Sequence, residues 1–322
     1  MGTKQIKQGL TEKLANADFK CTFVSTRHLP DLQRGFEKCL EEGQLDKKFY
    51  DEIVSRLDLY WHFDATAYFP QAKSVIIVAG FQPKTSLEFE LSGVKYYAII
   101  PPTYIYNIDK EVVDIVSSYL EKYGYNIGDA LLPTKLLAVR CGLAKYGRNN
   151  ITYINGWGSY YRLRAFFSDM PSNDDRWQEP TPMELCNTCT ACIKGCPTGA
   201  IRQNRFLLSA GKCLTFFNEA SYEFPKWLAP EWHNCLVGCM ICQDVCPGNK
   251  GHTEWIMPGG EFSEEETMMI LDGVAQDRLP KNIVEKLQRV NMLDYYSLLK
   301  RNLRVLIENQ RKGIEEVGGK HD

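Results

Sequence analysis

The stretch Cys186–Ile201, CNTCTACIKGCPTGAI, holds four cysteines within eleven residues, and a proline follows the last. The spacing is C-x2-C-x2-C-x3-C-P. A short loop of this length can wrap three thiolates around one [4Fe–4S] cubane. In two-cluster proteins with this run, the fourth thiolate ligates the other cluster. The expected geometry is that the fourth cysteine opens a helix aimed at the neighbour. The run therefore asks for a second set of thiolates downstream.

That second set is present. Cys239, Cys242 and Cys246-Pro247 repeat the pattern with its first cysteine missing, so that C-x3-C-P occurs at 192–197 and again at 242–247. Cys213 and Cys235 both stand ahead of it as candidates for the missing ligand. With Cys213 the count closes. Cluster one takes Cys186, Cys189, Cys192 and Cys246, and cluster two takes Cys196, Cys213, Cys239 and Cys242. Zinc binds paired C-x2-C units, but it gives no reason for the longer run or for two Cys-Pro dipeptides. Nine of the twelve cysteines fall between Cys186 and Cys246. Clustering of that kind argues for metal over disulfides. Cys21, Cys39 and Cys141 read as small buried hydrophobes.

The bulk numbers are those of an ordinary soluble protein. Of 322 residues, 44% are hydrophobic and 24% charged, and the net charge is −2. A nucleic-acid partner would thus need a local basic patch. The first twenty residues contain no apolar run of signal-peptide length, and no apolar stretch approaches the roughly 20 residues of a membrane helix. The expected location is the cytoplasm, with no membrane contact.

Residues 1–60 read as mostly helical, through LQRGFEKCLEEG (32–43) and KFYDEIVSRLDLYW (48–61). AKSVIIVAGF (72–81) fits a buried strand. DKEVVDIVSSYLEKYG (109–124) is amphipathic, with Val112, Val113, Val116, Tyr119, Leu120 and Tyr123 on one stripe and Gly124 at its end. TKLLAVRCGLAKYG (134–147) predicts a helix running into a turn. NNITYINGWGSYYRLRAFFSD (149–169) predicts two strands joined at Asn155–Gly158. MPSNDDRWQEPTP (170–182) is a polar connector. Beyond Lys250 the text predicts short helices in SEEETMMILDG, LPKNIVEKLQRV and LDYYSLLKRNLRVLIENQRK, then a frayed tail from 313. The expected domains are 1–170, 171–250 and 251–322.

GKCLTFFNEA (211–220) and NCLVGCMICQDVCPGN (234–249), taken with the opening stretch, resemble the epoxyqueuosine reductase family. That family is itself similar to the catalytic core of reductive dehalogenases. YFPQAKSVIIVAGF (68–81) looks like its first core strand. RCGLAKYGRNNITYINGWGS (140–159) resembles its glycine-rich signature, with Gly142, Leu143, Gly147, Asn149, Gly158 and Ser159 in step. The resemblance covers about residues 60 to 250.

The resemblance implies an α+β fold: a nitroreductase-like α/β corrinoid domain, a ferredoxin-like two-cluster [4Fe–4S] module and a helical C-terminal segment. It implies cobalamin alongside the clusters, which deliver electrons from an external low-potential donor to a Co(II)/Co(I) corrinoid for reductive deoxygenation. The corrinoid residues it points to are Lys145, Tyr146, Gly147, Arg148, Asn149, Gly158, Ser159 and Tyr160. It prefers Cys213 over Cys235 as ligand, and tRNA is the implied partner.

The substrate side departs from the family. Its acidic residue falls on Gly128, with Asp129 one place away, and its signature tryptophan and lysine become Lys145 and Arg148. Asp129 is the candidate proton donor, on the expectation that its carboxyl is shielded beside an apolar macrocycle. Its bland alternative is a turn aspartate. Tyr97, Tyr104, Tyr146, Tyr153 and Tyr160 offer a second acid type. Lys135, Arg140, Lys145, Arg148, Arg162 and Arg164 form a positive excess suited to corrinoid side chains, a phosphate or an RNA backbone, or else a solvated face. The five histidines show no ligand spacing. Two alternatives stand beside the epoxyqueuosine-reductase-like oxidoreductase: an electron-transfer protein that activates a partner's corrinoid, and a small-molecule reductase of dehalogenase type.

Overall fold

The β-branched run at residues 74–81 forms the centre of the first of two compact units. The structure, a computed structural model, describes residues 2–45, 47, 50–51, 54–55, 60–173 and 175–318. Its strands are β1 (Phe19–Ser25), β2 (Ser74–Phe81), β3 (Lys84–Leu91), β4 (Val94–Ile100), β5 (Ile127–Asp129), β6 (Lys145–Tyr146), β7 (Thr152–Tyr153), β8 (Tyr161–Ser168) and β9 (Ile256–Phe262). Unit 1 comprises residues 1–81, 108–190 and 201–209, and unit 2 comprises 82–107, 191–200 and 210–322.

Unit 1 is built on an antiparallel sheet of order β1-β2-β8-β5. Successive side chains of β2 point to opposite faces. Ile76 and Val78 meet Ile6, Leu10 and Leu14 of the helix Thr3–Ala15 and Val112, Val116 and Leu120 of the helix Ile108–Glu121. Val75, Ile77 and Ala79 meet Leu29 and Leu32 of the helix Leu29–Glu41, and Leu137 and Ala138 of the helix Thr134–Arg140. Helices on both faces explain why β2 is apolar without alternation. The helix Ile108–Glu121 buries Val112, Val116 and Leu120 of the expected stripe, Val113 and Tyr119 are half-buried beside them, Tyr123 falls past the helix end, and Gly124 follows at φ +77°.

Unit 2 contains a three-stranded sheet, β4-β3-β9, with β9 parallel to β3. Ser92 and Gly93 turn β3 into β4 with φ of 54° and 72°, as a tight hairpin turn requires. Leu87, Phe89 and Phe262 pack against Ile270, Ile283, Leu287, Leu299 and Leu303 of the helices Glu264–Asp272, Lys281–Arg289 and Tyr296–Gly318. The architecture is mixed α+β with a helical C-terminal region.

Several expectations change. The segment 1–60 is interrupted by β1, whose strand character comes from its pairing with β2. Most of KFYDEIVSRLDLYW lies outside the described residues. The last expected short helix is one of 23 residues, Tyr296–Gly318, so 313–318 are helical and not frayed, while 319–322 lie outside the described residues. Strands β3, β4 and β9 have no counterpart in the sequence-based account.

Candidate iron–sulfur site and its surroundings

In unit 2 the cysteine text folds into very short helices. Cys192 lies on the helix Ala191–Gly195, Cys242 lies on Ile241–Asp244, and the two helices pack together. A methyl at Gly195 would meet Val245 Cγ2 at 3.1 Å, so the glycine permits that approach. Cys213 precedes the helix Leu214–Glu219, and Cys239 follows Gly238, which sits at φ +67°. Cys196 departs from expectation. It follows the helix Ala191–Gly195, which stops before it because Pro197 disfavours helical geometry in the preceding residue, and it opens no helix of its own.

Cys196, Cys213 and Cys239 lie within electrostatic reach of one another. Burial raises the thiol pKa of Cys213, and raises that of Cys239 to about 11. Among the described residues no cysteine forms a disulfide. Half-buried neighbouring thiols of this kind suit iron, whose positive charge offsets the desolvation that opposes the thiolates. The donor set therefore fits a [4Fe–4S] cluster. Cys235 is 1% exposed and donates its S–H to Asn234 Oδ1 at 3.1 Å.

The cluster-one candidates are divided. Cys186 and Cys189 belong to unit 1, and Cys192 and Cys246 to unit 2. Within unit 1, the main-chain N–H of Arg148 donates to Cys186 Sγ at 3.4 Å. The Arg148 guanidinium donates to the Cys186 carbonyl. Met183 N–H donates to Tyr146 O at 2.7 Å, so the glycine-rich turn and the first cysteine loop are tied together.

That turn joins β6 to β7. Asn150 takes φ +59°, Asn149 Nδ2 donates to Tyr153 Oη at 2.9 Å, and Asn149 Oδ1 accepts from Ile151 N–H at 3.3 Å. A methyl at Gly147 would meet both Asn149 Oδ1 and the Tyr153 ring at 2.6 Å. Gly158 (φ +57°) carries the chain into β8. Tyr146, Gly147, Asn149, Gly158, Ser159 and Tyr160 are buried, and Lys145 is exposed. These residues build the turn first. For a corrinoid they leave the Lys145 ammonium and main-chain groups, so the donor set fits that cofactor only in part.

Asp129 ends β5 at the sheet edge. Its carboxylate is 72% exposed and receives Arg164 Nη2 at 2.5 Å. The expected shielding is absent, because an edge strand leaves this side chain to solvent and to its cation. The positive excess is also largely engaged. Arg162 chelates Asp109 through Nε at 2.6 Å and Nη2 at 2.8 Å, and buried Arg140 reaches Asp31 and Glu179, each at 3.0 Å. Among the tyrosines, Tyr97 is exposed while Tyr146, Tyr153 and Tyr160 are buried. Tyr104 donates to Glu219. Burial and the Glu219 carboxylate hold the Tyr104 phenol well above its usual pKa.

Asn234 is a functional candidate that the sequence alone does not flag. Its Nδ2 donates to Cys239 Sγ at 3.3 Å. An asparagine beside a cysteine carries no spacing signal, and only the fold reveals the contact.

Comparison with known proteins bears on these arrangements. A family model described as a 4Fe-4S double cluster binding domain matches residues 185–249, a span that includes all eight candidate ligands. An epoxyqueuosine reductase of Cyclobacterium marinum is 29% identical over 226 residues, 65% of this chain and 69% of that protein. The Bacillus subtilis epoxyqueuosine reductase is 28% identical over 209 residues, 61% of this chain and 52% of that protein. A solved epoxyqueuosine reductase with an epoxyqueuosine-modified tRNA stem loop aligns with TM-score 0.68 and 20% identity, covering 96% of this chain and 82% of that one. A Bacillus subtilis structure with its catalytic loop swung out of the active site aligns with TM-score 0.67 and 20% identity, over the same shares. The chain is thus related in sequence to epoxyqueuosine reductases, shares their fold and carries a double [4Fe–4S] cluster domain. Among the described residues no helix is long and apolar enough to cross a membrane.

Proposed function

We propose that this chain is a cytoplasmic, corrinoid-dependent iron–sulfur reductase that removes the epoxide oxygen of epoxyqueuosine in tRNA. The observation that carries this is the double-cluster domain at 185–249 within a chain related to epoxyqueuosine reductases over most of its length. Cys186, Cys189, Cys192 and Cys246 would hold one cluster, and Cys196, Cys213, Cys239 and Cys242 the other. Each [4Fe–4S] cluster supplies a one-electron carrier, and a corrinoid supplies a strongly reducing cobalt centre.

The chain's own residues do the rest. Partial burial around Cys213 and Cys239 limits the access of water to the thiolates once they are ligated. Arg148 orients Cys186 through its main-chain N–H and its guanidinium. Lys145, exposed and loosely paired with Glu184 at 3.9 Å, is a cation suited to an anionic group of the cofactor or of tRNA. Loss of an epoxide oxygen as water needs a pair of electrons and a pair of protons. Asp129 is the proposed proton donor, and this role requires it to leave Arg164 when substrate binds. The loop displaced in the Bacillus subtilis relative supports movement in this kind of site.

The corrinoid titration tests the proposal. Anaerobically reconstituted protein is expected to hold about eight irons, to change the visible spectrum of added cobalamin to that of a base-off species, and to convert epoxyqueuosine-containing tRNA. Cobalamin binding with untouched tRNA would shift the substrate to a small molecule. An unchanged cobalamin spectrum would favour an electron-transfer protein that reduces a partner's corrinoid. The exposed, cation-paired Asp129 is the observation on that side.

A further inference from the structure

Asn234 stands between a candidate cluster ligand and a cysteine that the ligand count leaves over. Its Nδ2 donates to Cys239 Sγ at 3.3 Å and to Trp232 O at 3.0 Å. Its Oδ1 accepts the Met240 main-chain N–H at 2.9 Å and the Cys235 S–H at 3.1 Å. This network fixes which end of the amide is which. A main-chain N–H can only donate, so Oδ1 must face Met240. A main-chain carbonyl can only accept, so Nδ2 must face Trp232. The amide proton is therefore directed at sulfur by partners on both sides.

We infer that Asn234, clamped by Cys235, sets the reduction potential of the second cluster through its N–H···S bond to Cys239. The inference rests on the proposal that Cys239 is a cluster ligand. Reduction adds negative charge to a cluster and its thiolates. A hydrogen bond to a ligand sulfur stabilises the more negative state more than the less negative one, and so raises the potential. Cys235 is then a positioning residue and not a ligand: it is buried, and its proton is committed to Asn234. It accounts for the ninth cysteine of the region. In unit 1 the donor to Cys186 Sγ is a main-chain N–H, that of Arg148, which side-chain substitution at Asn234 leaves in place. The first cluster thus serves as an internal reference.

EPR-monitored redox titration of the reconstituted full chain tests this, with iron counted on each sample. Asn234→Ala is expected to keep about eight irons. It should lower the reduced-to-oxidised ratio of one cluster about tenfold at a fixed potential, about 59 mV for a one-electron couple, and leave the other cluster where it was. Asn234→Asp, which replaces the donor by a carboxylate, should shift the same cluster further. Eight irons with both potentials unmoved in Asn234→Ala would overturn the inference. If that variant fails to load, the Cys235 pair decides. Cys235→Ala should keep its irons and lower the same potential, and Cys235→Ser, which restores an O–H donor, should return it. A Cys235→Ala protein that drops to about four irons would make Cys235 a ligand and overturn the inference. Wild-type protein holding clearly fewer than eight irons would instead sink the cluster assignment underneath it.

Discussion

His233 shows what burial does to a single titratable group. Both ring nitrogens are buried without a hydrogen-bond partner among the described residues, and the ring packs on Phe224 at 4.3 Å. Desolvation first, and the Arg301 cation second, push its pKa down to about 4. The folded protein therefore binds this proton less readily than the unfolded chain, whose histidine titrates near 6.5. The stabilising contribution is present above 6.5 and is lost as pH falls towards and through about 4. Urea midpoints measured between about pH 7.5 and 5.5 should fall more steeply for wild type than for His233→Gln; parallel slopes would contradict this. Asp129 carries the other prediction at this scale. Asp129→Asn should cost about 100-fold or more in turnover if it is the proton donor, with iron content unchanged. Arg164→Gln should cost less than about 1 kcal/mol of stability, because the pair is exposed. Full activity in Asp129→Asn would pass the acid role to a tyrosine.

Elements explain what was legible beforehand. The double-cluster segment could be read because cluster ligation imposes spacing along the chain itself. Strand β2 could be read because burial on both faces leaves an unbroken apolar run. Strand β9, IMPGGEF, could not, since Pro258, Gly259 and Gly260 contradict strand propensity and only pairing with β3 makes it a strand. Gly259 shows why the glycine is there. The β3–β9 register skips it, and a methyl at that position would meet Thr85 Cγ2 at 2.4 Å and Leu87 Cδ2 at 2.8 Å. Gly259→Ala should therefore destabilise by about 1–3 kcal/mol through overpacking, visible as a lower denaturation midpoint; an unchanged midpoint would show that β3 yields there. The substrate side was less legible. Its departures from the family fall in the turn after Gly142 and at the β5 edge, where side-chain roles depend on which groups the fold brings opposite.

For the whole molecule, the iron–sulfur segment is the part least able to order itself. Its α-helices have five, six and four residues, far below the roughly 12 that hold in water alone. Ligation therefore supplies folding free energy there. Iron removal by a chelator should open 185–249 to limited proteolysis and lower the melting temperature, while peptides from the sheet β1-β2-β8-β5 survive. Equal protection with and without iron would contradict this.

The parallel pairing of β9 with β3 sets a timetable for synthesis. Leu91 leaves the ribosome about 165 residues before Ile256, an interval of roughly 10–30 s at ~5–20 residues per second. Throughout it, the apolar face of the β3–β4 hairpin waits for both its third strand and its covering helices. Every candidate cluster cysteine emerges within that same interval. A nascent chain thus presents its cysteine thiols before the scaffold of unit 2 is closed.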